Sequence, residues 1–178
     1  MIDIEIPADA PAEFRLAVES LRSASVREEL VLEQIDAPGK LAKYEVAFSA
    51  NVDASATDVA SDLGTGRFVL LWDPEEPEPW QSRFRVITFA KSPLETDIGA
   101  DEQISDVAWA WLTEALQNRR ANFIAEAGTA TRIISSGYGA LSNQSDHAEL
   151  EIRSSWSPVD TSAAAHLEAW QDLVCIMS

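Results

Sequence analysis

A chain of 178 residues, 46% of them apolar and six of them tryptophan, can bury a sizeable core and is neither disordered nor fibrous. Thirty acidic against thirteen basic residues leave a net charge of −17, which argues against nucleic acid or an anionic membrane as partner, because both are held by lysine and arginine. The lone cysteine, Cys175, rules out an internal disulfide and fits a reducing compartment.

The N-terminus, M-I-D-I-E-I-P, carries acids where a secretory signal carries bases, and no apolar run approaches the ~20 residues of a membrane span. A single cytoplasmic domain over residues 1–178 is expected, with residues 1–8 flexible. In the first helix Phe14, Ala17, Val18 and Leu21 form a stripe behind Pro11, with Asp9 as N-cap. Four strand-like segments follow: 26–35, 43–52, 67–72 and 83–90, the last two rich in β-branched and aromatic residues. Residues 53–66 read as a mobile loop.

Between the third and fourth strands lies W-D-P-E-E-P-E-P-W (72–80). Its three prolines lack the donor that a ladder needs, so it reads as the stiff end of a hairpin. Trp72 shares a strand face with Phe68 and Leu70 and belongs to the core, whereas Trp80 either folds back or faces a partner. A second helix is expected from Asp101 or Ser105 to Ala127, stopped by Gly128. Its inner stripe would be Ile104, Val107, Ala108, Trp111 and Ala115, with Trp109 on a shoulder. Strands at 129–136 and 147–156 come next. A last helix behind Pro158 is capped by Asp160, Thr161 or Ser162 and carries Leu167, Trp170, Leu173, Val174 and Met177 inward. The order αββββαββα predicts an α+β fold of two layers, a mainly antiparallel sheet of about six strands with three helices on one face.

No motif names a reaction. Asn51, Asp53, Ser55 and Asp62 fall at calcium-loop spacing, but Ala56 occupies the glycine position and the flanks are strands, so a polar loop is the better reading and no metal is expected. Glu149 and Glu151 share a strand face, which a salt-bridged sheet surface explains more simply than acid–base chemistry. Cys175 sits among apolar residues, the setting of an inert thiol. No catalytic residue and no cofactor are expected.

The surface left to consider is acidic. A protein partner is expected, bound by the 73–80 loop and the start of the second helix through Trp80, Trp109, Glu75, Glu76, Asp101 and Glu102. Two alternatives remain. One is a small-molecule-binding domain or enzyme with a pocket between sheet and helices lined by Trp111, Trp156, Tyr138 and Arg132; the other is a chaperone-like dimer.

The phrases A-P-G-K-L-A-K-Y-E-V-A-F-S-A, T-G-R-F-V-L-L-W-D-P, A-W-A-W-L-T-E-A-L, A-E-L-E-I-R-S-S-W-S-P and H-L-E-A-W-Q-D-L-V-C together resemble an uncharacterised actinobacterial family, domain of unknown function three thousand (DUF3000). The likeness spans roughly residues 11 to 175. It implies a single-domain cytoplasmic protein and brings no catalytic residues or cofactor with it. The element order also resembles that of the small acidic chaperones of secretion systems, which set helices on a curved antiparallel sheet and dimerise; this chain has one strand more.

Overall fold

The computed structural model describes residues 1–53 and 63–178. The segments that alternate apolar and polar residues form six strands: β1 (Leu30–Ile35), β2 (Tyr44–Val52), β3 (Thr65–Trp72), β4 (Phe84–Leu94), β5 (Phe123–Ser135) and β6 (His147–Pro158). They make one sheet in the order β1-β2-β3-β4-β6-β5, and every neighbouring pair is antiparallel. The three longer helices are α1 (Ala12–Arg22), α3 (Ile104–Asn118) and α4 (Ala163–Met177); a single turn, α2 (Thr96–Gly99), precedes α3. The fold is the expected two-layer α+β arrangement, with α2 as an addition.

The helices share one side of the sheet. There α4 lies between α1 and α3 and packs on β3, β4 and β6. Its inward stripe of Leu167, Trp170, Leu173, Val174 and Met177 is buried, as are Phe14, Ala17, Val18 and Leu21 of α1. These meet Phe48, Phe68, Leu70, Val86, Leu150, Ile152 and Trp156 from the strands in one core. Trp170 is the centrepiece. Its ring lies 5.7 Å from that of Phe68, and its indole N–H donates to the Phe89 carbonyl at 3.2 Å. Gly66 makes this approach feasible: a Cβ there would stand 2.7 Å from the Phe89 oxygen and 2.8 Å from the Trp170 ring.

Several expectations are corrected. The second helix ends at Asn118, not near Ala127. Arg120 takes the left-handed conformation (φ 56°), and Ala121 N–H closes back on the Leu116 carbonyl, so a Schellman-type stop forms without glycine. Residues 123–127 then begin β5. The inner face of α3 is Ile104, Ala108, Leu112, Ala115 and Leu116; Val107 is 42% exposed, and Trp109 and Trp111 sit half-buried on opposite shoulders. The N-terminal segment is tied down: Ile4 is buried, Arg22 donates to its carbonyl, and Glu5 exchanges hydrogen bonds with the Gln34 side chain. Pro11, not Asp9, precedes α1. Of the loop expected at 53–66, residues 65 and 66 belong to β3, and 54–62 lie outside the described residues, as does most of the calcium-like spacing.

Among the described residues no helix is long and apolar enough to cross a membrane. The Gly66 contact yields a direct test. Gly66→Ala is expected to lower the free energy of unfolding by about 2 kcal/mol, because either the Phe89 backbone or Trp170 must move; chemical denaturation measures it.

Candidate functional site

With all three long helices on one side, the other side of the sheet is open, and strand register determines what it displays. Arg67 of β3 pairs with Phe89 of β4, Phe89 with Arg153 of β6, and Arg153 with Thr129 of β5. The result is a transverse row, Arg67–Phe89–Arg153–Thr129. The next row is Val69–Ile87–Ser155–Ala127, and beyond it come Leu71, Arg85 and Ser157. Adjacent strands lie about 4.8 Å apart, so the Arg67 and Arg153 backbones are about 10 Å apart with the Phe89 ring between them. The Arg153 guanidinium sits 4.8 Å from the centre of that ring.

Two loops raise a wall along this surface. Pro38 and Leu41 come from the β1–β2 connection, and Pro79 and Trp80 from the β3–β4 hairpin. Together they bound an open trough of about 810 Å³. Trp80 folds back onto the sheet and packs beside Ala47, Val69 and Leu71. Its carbonyl accepts from Ser157, and Gln81 in the left-handed region (φ 54°) turns the chain back into β4.

Among the described residues no aspartate or glutamate lines this trough, in a chain of net charge −17. Arg85 is only 8% exposed and spends its donors on neutral oxygens: the Ala125 carbonyl and the Ser157 and Ser155 hydroxyls. Burial pulls its pKa below the usual arginine value, and no neighbouring carboxylate opposes the shift. Among the described residues, Arg67 and Arg153 form no ion pair either. Four arginines elsewhere, Arg22, Arg27, Arg83 and Arg119, pair with carboxylates, whereas Arg15 and Arg132, like Arg85, bond to neutral oxygens. Arg83 grips Glu13 on α1 with two bonds of 2.9 Å, and Arg27 and Arg119 both bind Asp172. Arg83 also holds the Glu13 carboxyl below the usual range. Arg67 and Arg153 thus keep guanidinium donors available on the open face, while Glu151, two residues before Arg153 on the same face, lies in the next row opposite Lys91.

The residues expected to form a site are scattered. Glu75, Glu76, Asp101 and Glu102 are all exposed. The 73–80 loop and the 101–102 turn flank opposite ends of β4, about 30 Å apart, so they do not compose one patch. Trp109 is half-buried over Gly128 of β5. Of the alternative pocket set, Trp156 is fully buried, Tyr138 is 82% exposed, and Arg132 donates to the Gly99 and Ala100 carbonyls at the end of α2. Trp111 lines a different groove of about 660 Å³ between α3 and α4, with Cys175 and the Arg27–Asp172–Arg119 ion pairs. These four line no common cavity. Burial pushes the Cys175 thiol up to about 11, which keeps it protonated near neutral pH. Lys91 lies 3.2 Å from Glu149 and 4.0 Å from Glu151, the salt-bridged face that their spacing favoured. Among the described residues no cluster of His, Cys, Asp or Glu is disposed to hold a metal ion.

A family model described as "Protein of unknown function (DUF3000)" matches residues 10–178. The chain belongs to the DUF3000 family. The match takes in every element from α1 to α4, so the open face and its arginines lie wholly within the DUF3000 region. Neither the curated proteins nor the solved structures contain a match.

One buried polar pair lies behind the site, on the helix side. Trp156 N–H donates to His166 Nδ1 at 2.8 Å, and His166 Nε2 is the one fully buried side-chain polar atom without a partner among the described residues. Burial lowers the His166 pKa from 6.5 to about 4. The unfolded chain therefore takes up this proton first, and stability is full above pH 6.5 and falls as the pH drops toward about 4. That loss should reach about 3 kcal/mol in denaturation curves taken across the window, over and above the carboxylates. His166→Phe should flatten the slope there, while costing about 1–3 kcal/mol at neutral pH for the stranded Trp156 N–H.

Proposed function

We propose that this protein is a non-enzymatic interaction domain that binds an extended, acidic segment of another protein across the open face of its sheet. The carrying observation is the Arg67–Phe89–Arg153 row, with buried Arg85 beside it, in a trough that no acid among the described residues lines. The exposed cations would take carboxylates, and Ile87, Phe89 and the Trp80 wall would take apolar or aromatic side chains of the same segment. A trough this open and long suits a chain laid across it better than a small molecule, which binds in enclosed pockets. The surplus of acids over the rest of the surface disfavours acidic partners there, so specificity would arise from charge placement. A cytoplasmic location belongs to the same proposal and is supported by the lone, protonated Cys175.

This moves the expected protein partner from the acidic 73–80 loop and 101–102 turn to the arginine-bearing sheet face, and makes that partner acidic. The acidic residues named from sequence lie too far apart to act together, whereas the arginine row is continuous. The test uses a fluorescent peptide in which glutamate alternates with phenylalanine and leucine, followed by anisotropy. Binding by the wild type and a loss of at least about tenfold in Arg67→Glu/Arg153→Glu are expected, both positions being exposed and free of folding roles. Equal binding by the variant, or preference for a lysine-based peptide or a single-stranded oligonucleotide, would refute the proposal.

A further inference from the structure

We propose that β5 is a self-complementary edge through which two copies of this chain join, antiparallel about a twofold axis at Thr129, to make one continuous sheet. β5 closes one side of the sheet, and among the described residues its only ladder partner is β6. It spans 13 residues, and its outer edge is not covered by another strand. Edges of this length are normally shortened, charged or covered. Here the strand F-I-A-E-A-G-T-A-T-R-I-I-S carries just two charges, Glu126 and Arg132, of opposite sign and equidistant from Thr129.

Antiparallel pairing about Thr129 sets Thr129 against the partner's Thr129, Gly128 against Ala130, Ala127 against Thr131 and Glu126 against Arg132. Each charge therefore meets its opposite, twice over by symmetry. The faces also agree. Gly128 and Arg132 pair with Ser154 and Leu150 on the helix side, and Glu126, two residues before Gly128, falls on that side too. Thr129, Thr131 and Ala127 lie on the open side, where their small side chains leave room for close pairing. Glu126 makes no hydrogen bond or ion pair among the described residues, and Arg132 reaches only two carbonyls at 3.3 and 3.4 Å. The ladder would run over 126–132 and end at the β-bulge between Ile124 and Ala127, where Ala125 is left-handed (φ 55°).

The opposite edge offers no such match. The one charge of β1 is Glu33, with Glu28, Glu29 and Asp36 just outside the strand, so self-pairing would set acid near acid. The N-terminal segment also runs beside it through the Glu5–Gln34 bonds. An isologous β5 contact closes on itself and leaves only the two β1 edges, whose acids disfavour further pairing. It also extends the row on the open face, because Thr129 stands next to Arg153: in the dimer the two Arg67–Phe89–Arg153 rows meet end to end across the axis.

Sedimentation velocity and light scattering over a wide range of protein concentration test this in the full chain. A monomer–dimer equilibrium is expected, weakened about tenfold or more by Glu126→Arg and by Arg132→Glu, and restored by the double exchange E126R/R132E. Thermal melts taken at concentrations where all four proteins are monomeric should be alike, since both positions are exposed. A wild type that stays monomeric, a dimer indifferent to the single exchanges, or a double exchange that fails to restore association would each overturn the proposal. Peptide binding by the trough is tested at Arg67 and Arg153, outside this contact, so the two proposals fail independently.

Discussion

The fold depends on how α4 is seated. Trp170 can lie flat on the sheet because Gly66 presents no side chain beneath it, and its N–H is satisfied by the Phe89 carbonyl. That contact brings α4 down between α1 and α3 and lets one helix cover β3, β4 and β6 together. Trp156 stacks against His166 in the same layer, so two large aromatic rings are buried with their N–H groups paired. The Phe89 backbone is thus fixed from the helix side, while its ring points away into the trough. A contact in the core positions the residue at the centre of the candidate site.

The consequence of a one-sided helix layer is an uncovered sheet, and the chemistry displayed there is unusual for this chain. Burying an arginine without a carboxylate costs free energy that hydroxyls and a carbonyl offset only in part. Arg85 is nonetheless held in that state by Ser155, Ser157 and Ala125, and the bulge in β5 lies where its guanidinium meets Ala125. Solubility accounts for a surplus of acids on the outside; it does not account for their absence from one trough. Reserving cations there makes physical sense if the trough meets an anion, and the Arg153–Phe89 stack holds one guanidinium in place for it.

Much of this architecture can be read from periodicity. The stripes of α1 and α4 are those predicted, and alternation in R-F-V-L-L-W and A-E-L-E-I-R-S-S-W places the right residues inward. The end of α3 was illegible because an arginine, not a glycine, takes the left-handed position there. β5 was half hidden because F-I-A-E-A suits a continuing helix as well as a strand, and the exposed run 126–129 breaks the alternation that would mark the strand. The site was missed for a different reason. Arg67, Phe89 and Arg153 are far apart in sequence and become neighbours only through strand register, a non-local quantity. A signal was nevertheless present. Alternation alone places Arg67, Val69 and Leu71, and likewise Arg85, Ile87 and Phe89, on the face away from the core. The conspicuous acids of 72–80 drew attention instead, and their tryptophan proves to be a wall of the trough.

The central claim is that the helix-free face is where this protein meets its partner. Mapping amide chemical shifts of the isotopically labelled chain during titration with the glutamate–phenylalanine–leucine peptide tests it most directly. The account predicts perturbations concentrated on the central rows of β3, β4 and β6, at Arg67, Val69, Ile87, Phe89, Arg153 and Ser155, and at Trp80. Shifts confined to α3, α4 and the groove between them, or to the 101–102 turn, would contradict it.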